Sequence, residues 1–207
     1  YLLHLPSYAR NVTYTNVAAR QIRPKVTNDI DDKVSDNLSR PLKKMKSKTN
    51  IKLPLTDIEK ANLRKNKIKI ANILDFATDE LEVFLNTTTE RAKEIYALAE
   101  FQTVPSVGIK FSEDLVFLGY YSLNELKNKN GAKLTDEYEL KKGFWTDPCV
   151  EDQFRLVVNF ANTHDTKKTW WDFTEERKKF RAENGYPKSR PKKAWFETLG
   201  HERKDKK

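Results

Sequence analysis

The chain has 207 residues, 38% hydrophobic and 33% charged, with a formal net charge of +9. That suits one domain with a real core or two small ones, and no apolar run approaches the roughly 20 residues a membrane-spanning helix needs. A single cysteine, Cys149, excludes an internal disulfide and points to a reducing, cytoplasmic compartment. The opening Y-L-L-H-L-P-S-Y-A-R lacks the basic leader and continuous apolar stretch of a signal peptide. Charge is unevenly placed: residues 46–69 hold 8 Lys and Arg against 2 acids, residues 71–165 hold 9 against 17, and residues 174–207 hold 12 against 6. A polyanion would therefore be met by the segments flanking an acidic body.

Residues 1–44 contain no Met, Gly, Glu, Phe or Trp and show no sustained period, while Met45 is the one methionine of the chain. The expectation is that Met45 is the natural start and residues 1–44 are upstream read-through or added sequence, a disordered basic arm being the alternative. Residues 45–70 read as a basic lead-in and first helix. Thr56 and Glu59 have the spacing of a capping box, so a helix should run from about Asp57 to Asn66. Its Lys60, Arg64, Lys65, Lys67 and Lys69 form a basic patch, which as a type is more often a solvated face than a site.

Thr78 should cap a short helix with Leu81, Phe84 and Leu85 on one face, broken at Asn86-Thr87. Thr87 should then cap a longer one, with Ala92, Ile95, Tyr96 and Ala99 aligned and its end near Gln102. Next comes T-V-P-S-V-G-I-K-F-S-E-D-L, Thr103 to Leu115. Pro105 and Gly108 bracket a turn that opens a helix with its first N–H groups uncovered, a ready phosphate site. Residues 84–95 align with 104–115 at an offset of 20, apolar positions and the small residues Ala92 and Ser112 matching, but the first copy lacks both glycines and is a degenerate hairpin. Two such units packed together, 71–127, should share one core. Ser122 should cap a closing short helix, Leu123 to Lys127.

Over 128–173 the pattern predicts a polar connector with a weak helix near Asp136–Lys142. A core helix follows, with Asp147 at its N-cap, Pro148 at N1 and Val150, Phe154, Val157, Val158 and Ala161 as its stripe. Trp170, Trp171 and Phe173 should fold back as a lid. The 174–207 segment reads as a basic helix, Glu175–Glu183, then a flexible basic tail from Lys188 with Trp195-Phe196 as an anchor.

The turn Val104–Ile109 with Ser112 four places beyond Gly108 resembles the helix-hairpin-helix motif, with Ser106 in place of its first glycine. Taken with L-G-Y-Y-S-L-N-E-L, D-P-C-V-E-D-Q-F-R and the Trp170-Trp171 pair, the chain over Leu55 to Phe173 resembles the "pathogenicity locus" family of small helix-hairpin-helix proteins. The resemblance implies an all-α fold, a compact tandem helix-hairpin-helix bundle with additional C-terminal helices. It brings no catalytic residue set. In folds of this kind the turn amides grip successive phosphates of one strand, helped by a bound monovalent cation and a following Lys or Arg, which marks Ser106, Val107, Gly108 and Lys110. Lys60, Arg64, Lys65, Lys67 and Lys69 would give basic support.

Weighed as chemistry, little else stands out. Cys149 near a helix N-terminus invites a nucleophile reading, but Asp147, Glu151 and Asp152 oppose a thiolate, so a structural role is expected. His4, His164 and His201 lack metal-ligand spacing, and adjacent acids such as Glu113-Asp114 point to different faces. The expectation is a protein that is no enzyme and takes no metal or other cofactor beyond the cation at the turn. It would bind nucleic-acid backbone without sequence specificity. The alternative is a protein-protein interaction scaffold using its acidic hairpin face.

Overall fold

A computed structural model describes residues 50–198 of the chain. The expectations for residues 1–44 and for the tail beyond 198 lie outside those residues. Eight α-helices are described: α1 Asp57–Lys65, α2 Thr78–Leu85, α3 Thr89–Phe101, α4 Ile109–Leu118, α5 Gly131–Lys142, α6 Pro148–Thr163, α7 Thr174–Asn184 and α8 Trp195–Thr198. Short 3-10 helices lie at Ile70–Asp75, Leu123–Leu126 and Trp170–Phe173. Among the described residues the sole β feature is a bridge between Trp145 and Ala194, so the fold is all-α. None of these helices is long and apolar enough to cross a membrane.

Local chemistry accounts for where helices begin. The α1 capping box forms as the spacing predicts, Glu59 N–H donating to the Thr56 hydroxyl at 3.1 Å and Thr56 N–H to Glu59 Oε2 at 2.7 Å. Two caps shift by one residue. Ala77, not Thr78, precedes α2, because its N–H donates to Glu80 Oε2 at 2.8 Å and only Ala77 has an acid three places on. Thr88, not Thr87, caps α3, its hydroxyl accepting from Arg91 N–H at 3.3 Å. Thr87 is taken by the end of α2, where its N–H reaches Glu82 O at 3.2 Å across a left-handed Asn86.

The buried apolar residues form two clusters instead of the single shared core expected. One joins Leu55, Leu63, Ile73, Leu81 and Leu85 to the Ala92, Ile95 and Ala99 face of α3. The other joins Ala97 and Phe101 of α3 to Phe111 and Leu115 of α4, Leu134 and Tyr138 of α5, and Phe154 and Val157 of α6. Within it Phe111 and Phe154 meet edge to face at 4.9 Å. α3 serves both clusters because its buried residues spread around its circumference.

Beyond the hairpins, three expectations change. α5 starts at Gly131 instead of near Asp136, capped by Asn130, whose side chain accepts from Lys133 N–H at 3.1 Å. A β-carbon at Gly131 would lie 2.8 Å from Arg155 Cα, so glycine is what lets α5 and α6 approach. In the tryptophan segment Phe173 is the residue that closes the core, while Trp171 stays 56% exposed. A 3-10 turn puts residues three apart on one side, so 170 and 173 face inward and 171 faces out. The segment 188–198 is docked instead of flexible: Trp145 N–H donates to Lys193 O and Trp195 N–H to Trp145 O, both at 2.9 Å, and Ala194 is fully buried.

α7 has no buried residue and is held by charge. Arg177 pairs with Asp152 at 2.8 Å, and Arg181 pairs with Glu151 at 2.7 Å and with Asp136 at 2.8 Å. Arg155 of α6 reaches Glu151 at 2.7 Å and Glu176 at 2.6 Å. Just beyond, Arg190 pairs with Glu139 at 2.6 Å and lies 3.6 Å over the Tyr186 ring. The arginines of the basic C-terminal segment thus neutralise the buried acids of the body.

Candidate functional site

The two turns flagged by the 20-residue offset have matching backbones. Asn86 and Ser106 both sit at positive φ, 51° and 64°; α3 starts at Thr89 and α4 at Ile109. The residues before those starts, Thr88 and Gly108, are both extended, with ψ 160° and 178°. Ser106 therefore holds the left-handed position for which glycine is the usual choice. Ala92 and Ser112 correspond and are both fully buried. Ser112 also donates its hydroxyl to Gly108 O at 3.1 Å.

The two turns differ in chemistry at the cap. Thr88 covers an amide of α3 with its hydroxyl. Gly108 has no side-chain cap to offer α4, so the amides of Ile109, Lys110 and Phe111 have no intrahelical acceptor. At Gly108 φ is −103°, and a β-carbon there would meet nothing within 4 Å. Neither backbone conformation nor internal packing requires glycine at this position. The Val107 amide is already engaged, donating to Val104 O at 3.2 Å, and its side chain is buried. The open donors accordingly lie one residue further on than the sequence suggests.

An open groove of about 370 Å³ lies against this turn, lined by Asn50, Lys52, Gln102, Pro105, Ser106, Gly108 and Lys110 among others. Gln102 staples its two sides. Its amide donates to Lys52 O and to Leu98 O, both at 2.8 Å, and its Oε1 accepts from Lys52 N–H at 3.0 Å. Lys110 is 89% exposed and pairs with Glu113 at 3.0 Å, a surface contact too weak to fix it. Sequence reasoning missed Lys52, Gln102 and Asn50; with 50 residues between Lys52 and Gln102, no local pattern connects them.

The expected basic support is elsewhere. Lys60 and Arg64 line a separate groove with Leu55, Leu63, Ile68 and Ile70; Lys65, Lys67 and Lys69 are exposed, and none of the five lines the hairpin groove. Cys149 follows the structural reading: burial first, then the Asp147 carboxylate, pushes its thiol up to about 12. Among the described residues no group of three or more His, Cys, Asp or Glu side chains is arranged to hold a metal ion.

Residues 94–179 match the family model described as Cdd1, pathogenicity locus. The match includes the second turn with Gly108 and Lys110, α4 to α6 and the Trp170-Trp171 pair, and omits the first turn and α1. No curated protein and no solved structure matches the chain significantly.

Proposed function

With residues 94–179 matching the pathogenicity locus family model, we propose that the second turn is a non-enzymatic binding site for nucleic-acid backbone. The observation that carries this reading is the contrast between Thr88 and Gly108. At equivalent positions, the first turn caps its helix and the second leaves the helix amides bare beside an open groove. A glycine that the fold does not need there leaves room for a ligand to reach those amides, and a helix N-terminus favours phosphate. Lys52 and Lys110 flank the groove and supply counter-charge. Backbone amides and lysines carry no base information, so binding is indifferent to sequence. The tandem turns constitute a helix-hairpin-helix pair in which only the second copy is competent. No cofactor is part of this reading beyond a monovalent cation at the turn.

The test is a titration of the full chain with single-stranded and duplex DNA at two salt concentrations. Gly108→Val should stay folded, since a β-carbon there meets nothing within 4 Å, with a modest drop in melting midpoint from losing glycine at the N-cap of α4, and should weaken binding. Lys52→Ala and Lys110→Ala should each weaken it less and lower the salt slope by about 0.9. If folded Gly108→Val binds DNA as tightly as the parent, the reading fails. The acidic hairpin face as a protein-docking scaffold then takes its place.

A further inference from the structure

We propose that the groove beside α1 docks an acidic amphipathic segment of another protein, with one apolar anchor flanked by Asp or Glu. This rests on different residues from the hairpin site and stands independently of it. The groove, about 200 Å³, is floored by Leu55, Leu63, Ile68 and Ile70 and rimmed by Lys60 and Arg64. Its floor has room for a large apolar side chain. Arg64 is oriented by its own Nε, which donates to Lys60 O at 3.1 Å, leaving the terminal nitrogens of the guanidinium to face a partner.

The charge around the groove is unbalanced. Lys60 shares Asp57 at 3.1 Å, an acid whose side chain is 99% exposed. Arg64, Lys65, Lys67 and Lys69 make no ion pair among the described residues, and all are exposed. Arg177, Arg181 and Arg190, by contrast, are each bound to a buried carboxylate. Cations that pair with no buried acid among the described residues, beside an apolar floor, fit a helix-in-groove contact, in which an apolar anchor gives affinity and acids give approach rate and orientation. A nucleic-acid backbone has no apolar group to place on Leu63 and Ile68. A second copy of this chain is opposed at long range by its net charge of +9, and its acidic residues within 71–165 make it the competing occupant that light scattering tests.

The experiment is fluorescence anisotropy of the full chain with a short synthetic acidic peptide carrying one central leucine. The controls are the same peptide with serine for leucine and an oligothymidine of matched charge. The leucine peptide should bind, with affinity falling about tenfold for the serine peptide and about tenfold for Arg64→Glu. Arg64→Glu changes an exposed side chain and should melt like the parent. Ile68→Asn, checked by melting, tests the floor separately and should weaken the leucine peptide alone. Equal binding of the two peptides, or displacement by oligothymidine at the same concentration as by peptide, would overturn the proposal in favour of a general polyanion surface. No binding of the leucine peptide, or a peptide-sensitive doubling of mass in light scattering, would overturn it as well.

Discussion

Glu59 shows how much a single carboxylate can organise. It is 5% exposed, accepts the Thr56 N–H that starts α1, and receives Arg91 of α3 through Nε at 2.9 Å and Nη2 at 3.1 Å. The Arg91 guanidinium, ahead of the Thr56 bonds, holds its carboxyl below the usual range. Glu59→Gln keeps an acceptor for the cap but loses the charge, so we expect a loss of about 2 kcal/mol in urea melts at neutral pH. A carboxyl whose folded pKa is depressed stabilises the fold fully above its ordinary value of about 4.3. The gap between parent and variant should therefore close as pH falls through the lowered folded value. Asp147 works more simply: its side chain accepts from Cys149 N–H at 2.9 Å, and Asp147→Ala should cost about 1 kcal/mol. Cys149, with its thiol pushed up to about 12, should alkylate at mildly alkaline pH more slowly in the native protein than in urea. A native rate equal to the unfolded rate would contradict that environment.

Between elements, close approach and charge take over from caps. Gly131→Ala would drive a methyl to within 2.8 Å of Arg155 Cα, where backbone has to move. Denaturant melts should show a loss of about 3 kcal/mol, because α5 and α6 must separate. Arg181, with a 7% exposed side chain, bridges Glu151 and Asp136. Arg181→Ala leaves Asp136 without its arginine and Glu151 held by Arg155 alone, and should cost about 3 kcal/mol. Arg181→Lys should rescue only part, since an ammonium cannot reproduce the fork that reaches both. These couplings explain what the sequence disclosed and what it did not. The Thr56–Glu59 box and the Asp147-Pro148 start are short-range patterns, and each was readable. The cap at Thr88 lies one residue beyond the expected one because two threonines compete and the neighbouring helix end decides, and the one at Ala77 lies one residue before because Glu80, three places on, makes the bond. α5 was read too short because its first turn opens on Gly131, a poor helix former whose use is tertiary. The arginine pairs span up to 51 residues, as in Arg190 to Glu139, and nothing local in the chain announces them.

For the whole molecule, the basic C-terminal segment changes meaning once its partners are known. Residues after Phe173 look removable in sequence, yet cutting there strips Arg177, Arg181 and Arg190 from Asp152, Glu151 and Glu139, which are each 1% exposed. Glu151 keeps Arg155 and the cut opens the acids to water, but the pairs that tie this segment to the body are lost, a sizeable share of an ordinary domain's stability of about 5 to 15 kcal/mol. Protein ending at Phe173 should melt well below the full chain. A sharp transition near the parent midpoint would mean the acids find other partners. Whether this segment adds to the proposed binding of nucleic-acid backbone is therefore better tested at exposed Lys188, Lys192 and Lys193 than by deletion. A different boundary problem arises at α3. The family match begins at residue 94, inside a helix that is capped at Thr88 and runs to Phe101. A protein cut at 94 would keep an uncapped remnant too short to hold itself helical, with Ile95 and Ala99 stripped of the cluster they pack in. The stretch that similarity delimits is thus smaller than the stretch that can fold, and a minimal autonomous piece has to start upstream of Thr56, where the first cluster begins.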